Sequence, residues 1–212
     1  DPERRSRIVE RLARFTGLAP AWILQNDLRL VDARVLKEML RSRGVSVGRL
    51  DARYLGPEAD LGAAEMAADP SYAAAGGAFA ALINDYLRGP LGVVDPREYK
   101  LLNMKVNAAW KWPVPSANTS GGYVNVVKEL RRAMLASPHL RVLFCNGLYD
   151  LATPFFANEI ASRHLGREEA ITRHVRTETY AAGHMMYFHA GARAKLTADI
   201  AAFVRSATSR EP

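Results

Sequence analysis

The segment Leu140-Arg-Val-Leu-Phe-Cys-Asn-Gly-Leu-Tyr-Asp150-Leu-Ala-Thr-Pro154 has the pattern of a strand, a loop and the start of a helix. The apolar run over 141–146 predicts a buried strand that ends at a glycine. Pro154 suits the first turn of a helix, which we expect over 154–165. Asp150 therefore lies in the loop after the strand, where an open α/β sheet presents its functional side chains.

A second segment with the same pattern is Thr179-Tyr-Ala-Ala-Gly-His184-Met-Met-Tyr187. It follows a predicted strand over 174–181, and His184 comes directly after Gly183, which permits close approach by a neighbouring backbone. A further helix is predicted near 190–206. Asp150 and His184 are thus each expected on a loop that a rigid strand holds in place.

Strands and helices alternate from residue 120 to the end of the sequence. A helix over 121–136, with Ser120 as its cap, precedes the first strand. This alternation predicts an α/β fold with a parallel sheet and covering helices. Two strands alone leave both edges and faces of a sheet uncovered, so more sheet is expected from elsewhere. The chain begins at Asp1 without a signal-peptide pattern, and we expect it to be part of a longer protein.

Three regions follow from the patterning. Residues 1–88 are predicted to be mainly helical, residues 89–119 an irregular connection, and residues 120–212 the α/β region. The predicted helices of the first region cover 3–15, 20–24, 31–43 and 71–87, and residues 45–55 are predicted to be extended. Within the second region, residues 99–104 are compatible with a short strand.

Composition excludes several classes of function. The net charge of +7 is concentrated in the first 53 residues, where arginines alternate with apolar residues as on solvated helix faces. No basic stretch interleaved with aromatics, zinc spacing or phosphate loop indicates a nucleic-acid partner. No run of about 18 apolar residues predicts a membrane span. The single cysteine, Cys145, lies in an apolar run and is expected to be a buried, inert thiol.

Asp150 and His184 are the residue types of an acid and a base in nucleophilic catalysis. A serine nucleophile needs a histidine to take its proton, and an acid to orient that histidine. In α/β-hydrolases the order along the chain is nucleophile, acid, histidine, and here acid and histidine follow that order. Asp150 could instead be a turn residue, and His184 could be structural. A metal site of His184, His189 and Asp150 is disfavoured, because histidines five residues apart do not share one helix face.

Ser120 would preserve the chain order of a triad but lacks the surroundings of a nucleophile. A nucleophile elbow has glycine two residues before the serine, whereas Asn118 stands there. Pro113 and Pro115 also argue against a central strand leading to it. Ser120 is therefore predicted to cap a helix, and the nucleophile and oxyanion hole are expected outside this chain.

These segments resemble the serine carboxypeptidase family, and most closely its bacterial members. The specific likeness lies in Asn146-Gly-Leu-Tyr-Asp-Leu-Ala-Thr-Pro-Phe-Phe-Ala-Asn-Glu159 and Ala182-Gly-His-Met-Met-Tyr187. Two less specific segments are Gly-Arg-Leu-Asp-Ala-Arg-Tyr over 48–54 and Gly-Tyr-Val-Asn-Val from Gly122. The likeness covers essentially the whole chain, as the C-terminal portion of such an enzyme.

The resemblance implies an α/β-hydrolase whose last strands follow a mainly helical lid, here residues 1–88. It implies catalytic roles for Asp150 and His184, and a place for Met185 in the pocket for the departing amino acid. Tyr187 stands where many members have proline. The substrate would be a peptide cut at its C-terminal bond, with no cofactor and no metal. The chain alone would be inactive and would pair with an amino-terminal part or another copy. A periplasmic or secreted location is also expected from the family.

Two other functions remain open at this point. The acid and base loops could belong to another α/β-hydrolase, such as an esterase or an aminopeptidase. Alternatively, the chain could be a non-catalytic helical binding module in which Asp150 and His184 are merely structural.

Overall fold

The computed structural model describes residues 1–110 and 125–209, which form a mixed α/β structure that is about half helical, with two small sheets. The helices within these ranges are α1 (Pro2–Thr16), α2 (Pro20–Gln25), α3 (Asp32–Glu38), α4 (Pro70–Arg88), α5 (Met104–Ala109), α6 (Val127–Ala136), α7 (Phe155–His164), α8 (Glu169–Thr172) and α9 (Ala190–Thr208). The strands are β1 (Val45–Val47), β2 (Leu55–Pro57), β3 (Val142–Gly147) and β4 (Val175–Tyr180).

Most predicted elements are confirmed to within a few residues, and three need correction. The helix predicted over 31–43 ends at Glu38, and a separate 3-10 turn covers Arg41–Arg43. Residues 99–104 do not form the short strand that the sequence allowed. The Asn103 side chain accepts hydrogen bonds from the amides of Lys105 and Val106 and thereby begins α5. The helix predicted over 121–136 begins at Val127. Its predicted cap, Ser120, lies outside the described residues.

The chain divides into two compact units that interleave along the sequence. The first combines Asp1–Ala74, Gly147–Pro154 and Tyr180–Arg193. The second takes the described residues of Ala75–Asn146, Phe155–Thr179 and Ala194–Pro212. The division made from sequence followed chain order instead, so the assignment of residues 1–88 as a lid stays a prediction.

The helical core of the first unit is formed by α1 and α2. The α1 helix ends at Gly17, whose φ of 73° requires the left-handed conformation that glycine adopts without strain. Val9, Leu18 and Ile23 are buried at the centre of this core. Residues that pack around them are Leu12, Ala13, Trp22, Leu28, Leu30 and Val35.

Strands β1 and β2 form an antiparallel pair in which Val45 lies opposite Pro57 and Val47 lies opposite Leu55. The segment predicted to be extended is therefore a hairpin whose connection is residues 48–54. We call this connection the 48–54 segment. Its ends are joined by a hydrogen bond of 2.8 Å from the Gly48 amide to the Tyr54 carbonyl.

Strands β3 and β4 pair in the parallel sense that the alternation of elements predicts. Hydrogen bonds join the Val142 amide to the His174 carbonyl and the Leu148 amide to the Tyr180 carbonyl, so partner numbers rise together along both strands. The polar loops that carry Asp150 and His184 consequently leave the same end of this sheet.

The second unit has its own small core, in which Met134, Leu165 and Ile171 are buried. At its surface Arg131 donates to both carboxylate oxygens of Glu168 at 2.6 and 2.9 Å, and to the Leu165 carbonyl. The hydrogen bonds from Arg131 lower the pKa of Glu168 to about 2. This pair fixes the connection between α7 and α8.

Candidate active site

The loops after β3 and β4 run side by side in the first unit. The Tyr149 amide donates to the Ala182 carbonyl at 3.0 Å, one residue before Asp150 and two before His184. Gly147 makes this spacing possible, because a side-chain carbon there would collide with the backbone of Gly183. The two functional loops are thus in direct backbone contact.

The Asp150 carboxylate is 4% exposed and is held on both oxygens. Its Oδ1 accepts from the amides of Ala152 and Thr153 at 2.8 and 2.9 Å. Its Oδ2 accepts from the Thr153 hydroxyl at 2.6 Å and lies 2.9 Å from Nδ1 of His184. With its backbone partners on one side, this carboxylate presents its second oxygen to the imidazole in a fixed direction.

His184 is bound to the site through one ring nitrogen and its backbone amide. The contact of Nδ1 with Asp150 places the ring proton on Nδ1 when the imidazole is neutral, which leaves Nε2 as an acceptor. Within residues 1–110 and 125–209, Nε2 makes no hydrogen bond, and the side chain is 44% exposed. Chemically, the arrangement is an oriented base open to a proton donor from outside.

Thr153 is a site residue that the sequence-based prediction did not single out. Its hydroxyl oxygen lies 3.1 Å from Nδ1 of His184 as well as bonding Asp150 Oδ2. The hydroxyl therefore reinforces the carboxylate oxygen that faces the imidazole. Its signal in the sequence was its place three residues after Asp150, where a side chain can reach back to an Asp that turns the chain.

The 48–54 segment contacts the loop that carries Asp150 through two backbone hydrogen bonds. The Ala52 amide donates to the Tyr149 carbonyl at 2.9 Å, and the Leu151 amide donates to the Arg49 carbonyl at 3.1 Å. These bonds lie on either side of Asp150 along the chain, so the acid loop is fixed both before and after its functional residue.

The same segment contacts the loop that carries His184. The His184 amide donates to the Leu50 carbonyl at 2.6 Å. The Gly183 backbone amide also helps to lower the pKa of the Asp51 carboxyl. A side-chain carbon on Gly183 would lie 2.5 Å from Cβ of Asp51 and would collide with the Leu50 carbonyl. Glycine is therefore required before the histidine for close approach of the 48–54 segment.

Arg53 completes these contacts with its side chain. Its Nε and Nη2 donate to the two oxygens of Asp51 at 2.9 and 2.6 Å, and Nη1 donates to the Ala181 carbonyl at 3.2 Å. The guanidinium carbon lies 4.5 Å from the centre of the Tyr149 ring. Nη1 also lies 3.4 Å from Nε2 of His189. Four residues of the 48–54 segment thus bond one of the two loops, namely Arg49, Leu50, Ala52 and Arg53.

The start of α4 supports the 48–54 segment from within the same unit. Asp69 accepts from the Arg49 amide at 3.1 Å, and the Ser71 hydroxyl accepts from the Leu50 amide at 2.9 Å. The same hydroxyl donates to Asp69, and Ser71 is 4% exposed. This buried serine is fully engaged with backbone support.

Asp51 is expected to stabilise the protein only while it is ionised. Burial raises the pKa of its carboxyl, but hydrogen bonds from Arg53 outweigh burial and hold the pKa below its ordinary value. A carboxyl whose pKa is lower in the folded state contributes its stabilisation above the unfolded-state pKa of about 3.9, and loses it as the pH falls through the folded-state pKa. Asp51→Asn should therefore lower the free energy of unfolding by about 1 kcal/mol at pH 7, as measured by urea unfolding. The difference in this free energy between the variant and wild type should shrink below about pH 4.

Asp95→Asn is the matched control for that measurement. Asp95 pairs with Arg97 at the same spacing, but the Arg97 side chain is 86% exposed. Loss of this ion pair should therefore lower the free energy of unfolding less at every pH. If the free energies of unfolding of Asp51→Asn and wild type differed by the same amount from pH 7 to pH 2, Asp51 would not stabilise the protein through its ionised form.

The structure brings Asp150 and His184 together, and the predicted substrate-binding role of Met185 stays a prediction. Met185, half-buried, begins a 3-10 turn over 186–188. His189 contacts Arg53, and no three His, Cys, Asp or Glu side chains form a metal-ligand cluster within the described residues.

Three comparisons were made with known proteins. No family model, curated protein or solved structure matches the chain. Among the helices of the described residues, none has the length and apolar character needed to cross a lipid bilayer.

Proposed function

We propose that this chain supplies the acid and the base of a serine carboxypeptidase whose nucleophilic serine lies outside it. One observation carries the proposal: Nδ1 of His184 is 2.9 Å from an Asp150 oxygen that is itself held in place, while Nε2 has no hydrogen-bond partner in the part of the chain that the structure describes. A serine hydrolase needs a histidine whose two ring nitrogens have different partners. The acid bonds one nitrogen, and the reacting hydroxyl bonds the other.

The roles follow from the proton positions. The serine hydroxyl would transfer its proton to Nε2 of His184 as its oxygen attacks the scissile carbonyl. The imidazolium so formed is stabilised by the ionised Asp150, which keeps its own charge throughout. His184 would then return the proton to the departing amino group. Deacylation repeats the cycle with water in place of the peptide amine.

The choice of a carboxypeptidase within the α/β-hydrolases is supported by the sequence resemblance. The residues that carry that resemblance, around Asp150 and His184, are those that meet in the structure. The less specific segment of the likeness, 48–54, bonds both loops as well. Residues similar to one family therefore form one connected site in the first unit.

A contribution from an amino-terminal part is supported by the sheet. In the described residues β3 has only β4 as a neighbour, and a two-stranded parallel sheet is marginal without further strands. Strands added beside them would extend the edge from which Asp150 and His184 project. A nucleophile on such a strand would reach Nε2 of His184 from the same end of the sheet.

The test compares the full-length gene product with residues 1–212 alone. The full-length protein should be labelled on one serine by a fluorophosphonate and should release single residues from peptides with a free C-terminus, but not from amidated peptides. Residues 1–212 alone should do neither. Release of residues by 1–212 alone would contradict the external serine.

Other outcomes would select the alternatives. Labelling with hydrolysis of simple esters or of N-terminal residues, and no C-terminal release, would favour an esterase or an aminopeptidase. A full-length protein that neither labels nor hydrolyses would favour a helical binding module.

A further inference from the structure

We propose that Arg53 is a positioning residue for the Asp150–His184 pair, holding the acid loop and the base loop in register through Tyr149 and Ala181. The catalytic part of this inference rests on the proposed function, whereas the contacts of Arg53 lie entirely within this chain. Arg53 touches neither Asp150 nor His184, and acts through the residues that precede them.

The guanidinium of Arg53 joins the two loops from one fixed position. Its ring contact with Tyr149 is next to Asp150 in the chain, and its bond to the Ala181 carbonyl is three residues before His184. The two bonds to Asp51 set the plane of the guanidinium, and so fix where these other contacts fall. A rotation of this side chain would therefore remove one contact from each loop at the same time.

A second Asp-x-Arg pair shows that the local ion pair alone does not explain these contacts. Arg97 bonds Asp95 through Nε at 3.0 and 3.1 Å and through Nη2 at 2.6 Å, with its amide on the same carboxylate, as Arg53 does with Asp51. Yet Arg97 is almost fully exposed, while the side chains of Arg53 and Asp51 are 33% and 13% exposed. The difference lies in the contacts that Arg53 makes beyond its partner.

Only arginine can make this set of contacts. Its planar fork bonds the two carboxylate oxygens side by side, leaves Nη1 for a third acceptor and stacks on an aromatic face. Lysine would keep the charge but lose the fixed plane. Because catalysis tolerates little displacement of reacting groups, with about 1 Å costing about 100-fold, a residue that sets loop register acts on the chemical step.

The experiment uses Arg53→Met and the milder Arg53→Lys in residues 1–212, with Arg97→Met as the matched control. Proton NMR follows the strongly downfield Nδ1–H signal of a histidine bonded to a carboxylate, assigned to His184. Hydrogen exchange follows the amides of Tyr149, Leu151 and His184, and those of α1 and α2 report on the rest of the unit.

Arg53→Met should abolish the Nδ1–H signal of His184 and speed exchange of the three loop amides about tenfold or more, with α1 and α2 unchanged. Arg53→Lys should weaken the signal and give an intermediate exchange rate. Arg97→Met should behave as wild type. If both Arg53 variants keep the signal and the wild-type loop exchange, or if exchange rises equally in α1 and α2, Arg53 is not a positioning residue.

An activity measurement separates this inference from the proposed function. In the full-length protein, Arg53→Met should lower kcat about tenfold or more while KM changes less than twofold, because the pair acts on the transition state. A full-length protein without peptidase activity would overturn the proposed function and leave the NMR result intact. Wild-type kcat in Arg53→Met would overturn the positioning role even if the peptidase is confirmed.

Discussion

Replacing His184 with alanine is expected to lower the kcat of the full-length protein by about 10⁴-fold or more, because the serine would lose the group that accepts its proton. The fold should persist, since the imidazole is 44% exposed and, among the described residues, its hydrogen bonds go to Asp150 and Thr153 alone. The measurement is the rate of C-terminal residue release at saturating peptide, with the free energy of unfolding determined in parallel.

His139→Ala is the matched control for that experiment. His139 is exposed and belongs to the second unit, whereas Asp150 and His184 belong to the first. It should keep wild-type kcat. A His184→Ala protein that is folded and retains more than about a tenth of the wild-type rate would contradict the role of His184 as base.

Gly183→Ala is expected to destabilise the first unit strongly. The new carbon would collide with the Leu50 carbonyl and approach Cβ of Asp51 to 2.5 Å. Neither neighbour can easily move, since Leu50 O binds the His184 amide and Asp51 binds Arg53. Overpacking of this kind costs about 1–3 kcal/mol, and we expect the upper end in urea unfolding. The hydrogen bond between His184 and Asp150 should lengthen or break as the base loop shifts.

Gly77→Ala is the control in the same unfolding experiment, and it is not expected to destabilise the protein. Gly77 lies within α4, and a side-chain carbon there would meet nothing within 4 Å. Alanine is the better helix former, so this change should be neutral or stabilise by up to about 1 kcal/mol. If Gly183→Ala were as stable as wild type with the Nδ1–H signal of His184 unchanged, the close approach described for the 48–54 segment would be wrong.

The parts of the fold that sequence predicts are those set by local pattern. Strand β3 was visible as a short apolar run, whereas β4 has Val175 and Tyr180 at the ends of a polar stretch, and each strand leads into a polar loop. Helix α4 was visible from apolar residues at helical spacing. Asp150 and His184 were identified because each follows such a strand. Their mutual hydrogen bond was inferred from chain order, and the described geometry brings them within 2.9 Å.

The role of the 48–54 segment could not be predicted in this way. Arg53 bonds Ala181, 128 residues further along the chain, and no periodicity encodes a contact over such a separation. Asp51 and Arg53 were counted among the charges of a solvated surface, yet Asp51 is 9% exposed because its charge is paired.

The prediction that the basic residues of the first region lie on solvated helix faces is also wrong for Lys37. Lys37 is fully buried, where the arginine-rich patterning predicts a solvated helix face. Its ammonium lies 3.4 Å from a carboxylate oxygen of Glu58 and donates to the Glu65 carbonyl at 3.2 Å. Burial of this charge is compatible with folding because it has an opposite charge and carbonyl acceptors as partners.

The long sequence separation across the 48–54 segment also constrains when the site can exist. During synthesis, residues 49–53 leave the ribosome well before Ala181, Gly183 and His184 have been translated. A nascent polypeptide therefore carries the 48–54 segment without its partners in the loop of His184 until residues 181–184 have emerged. The geometry that joins the two loops can therefore form only after translation has passed residue 184.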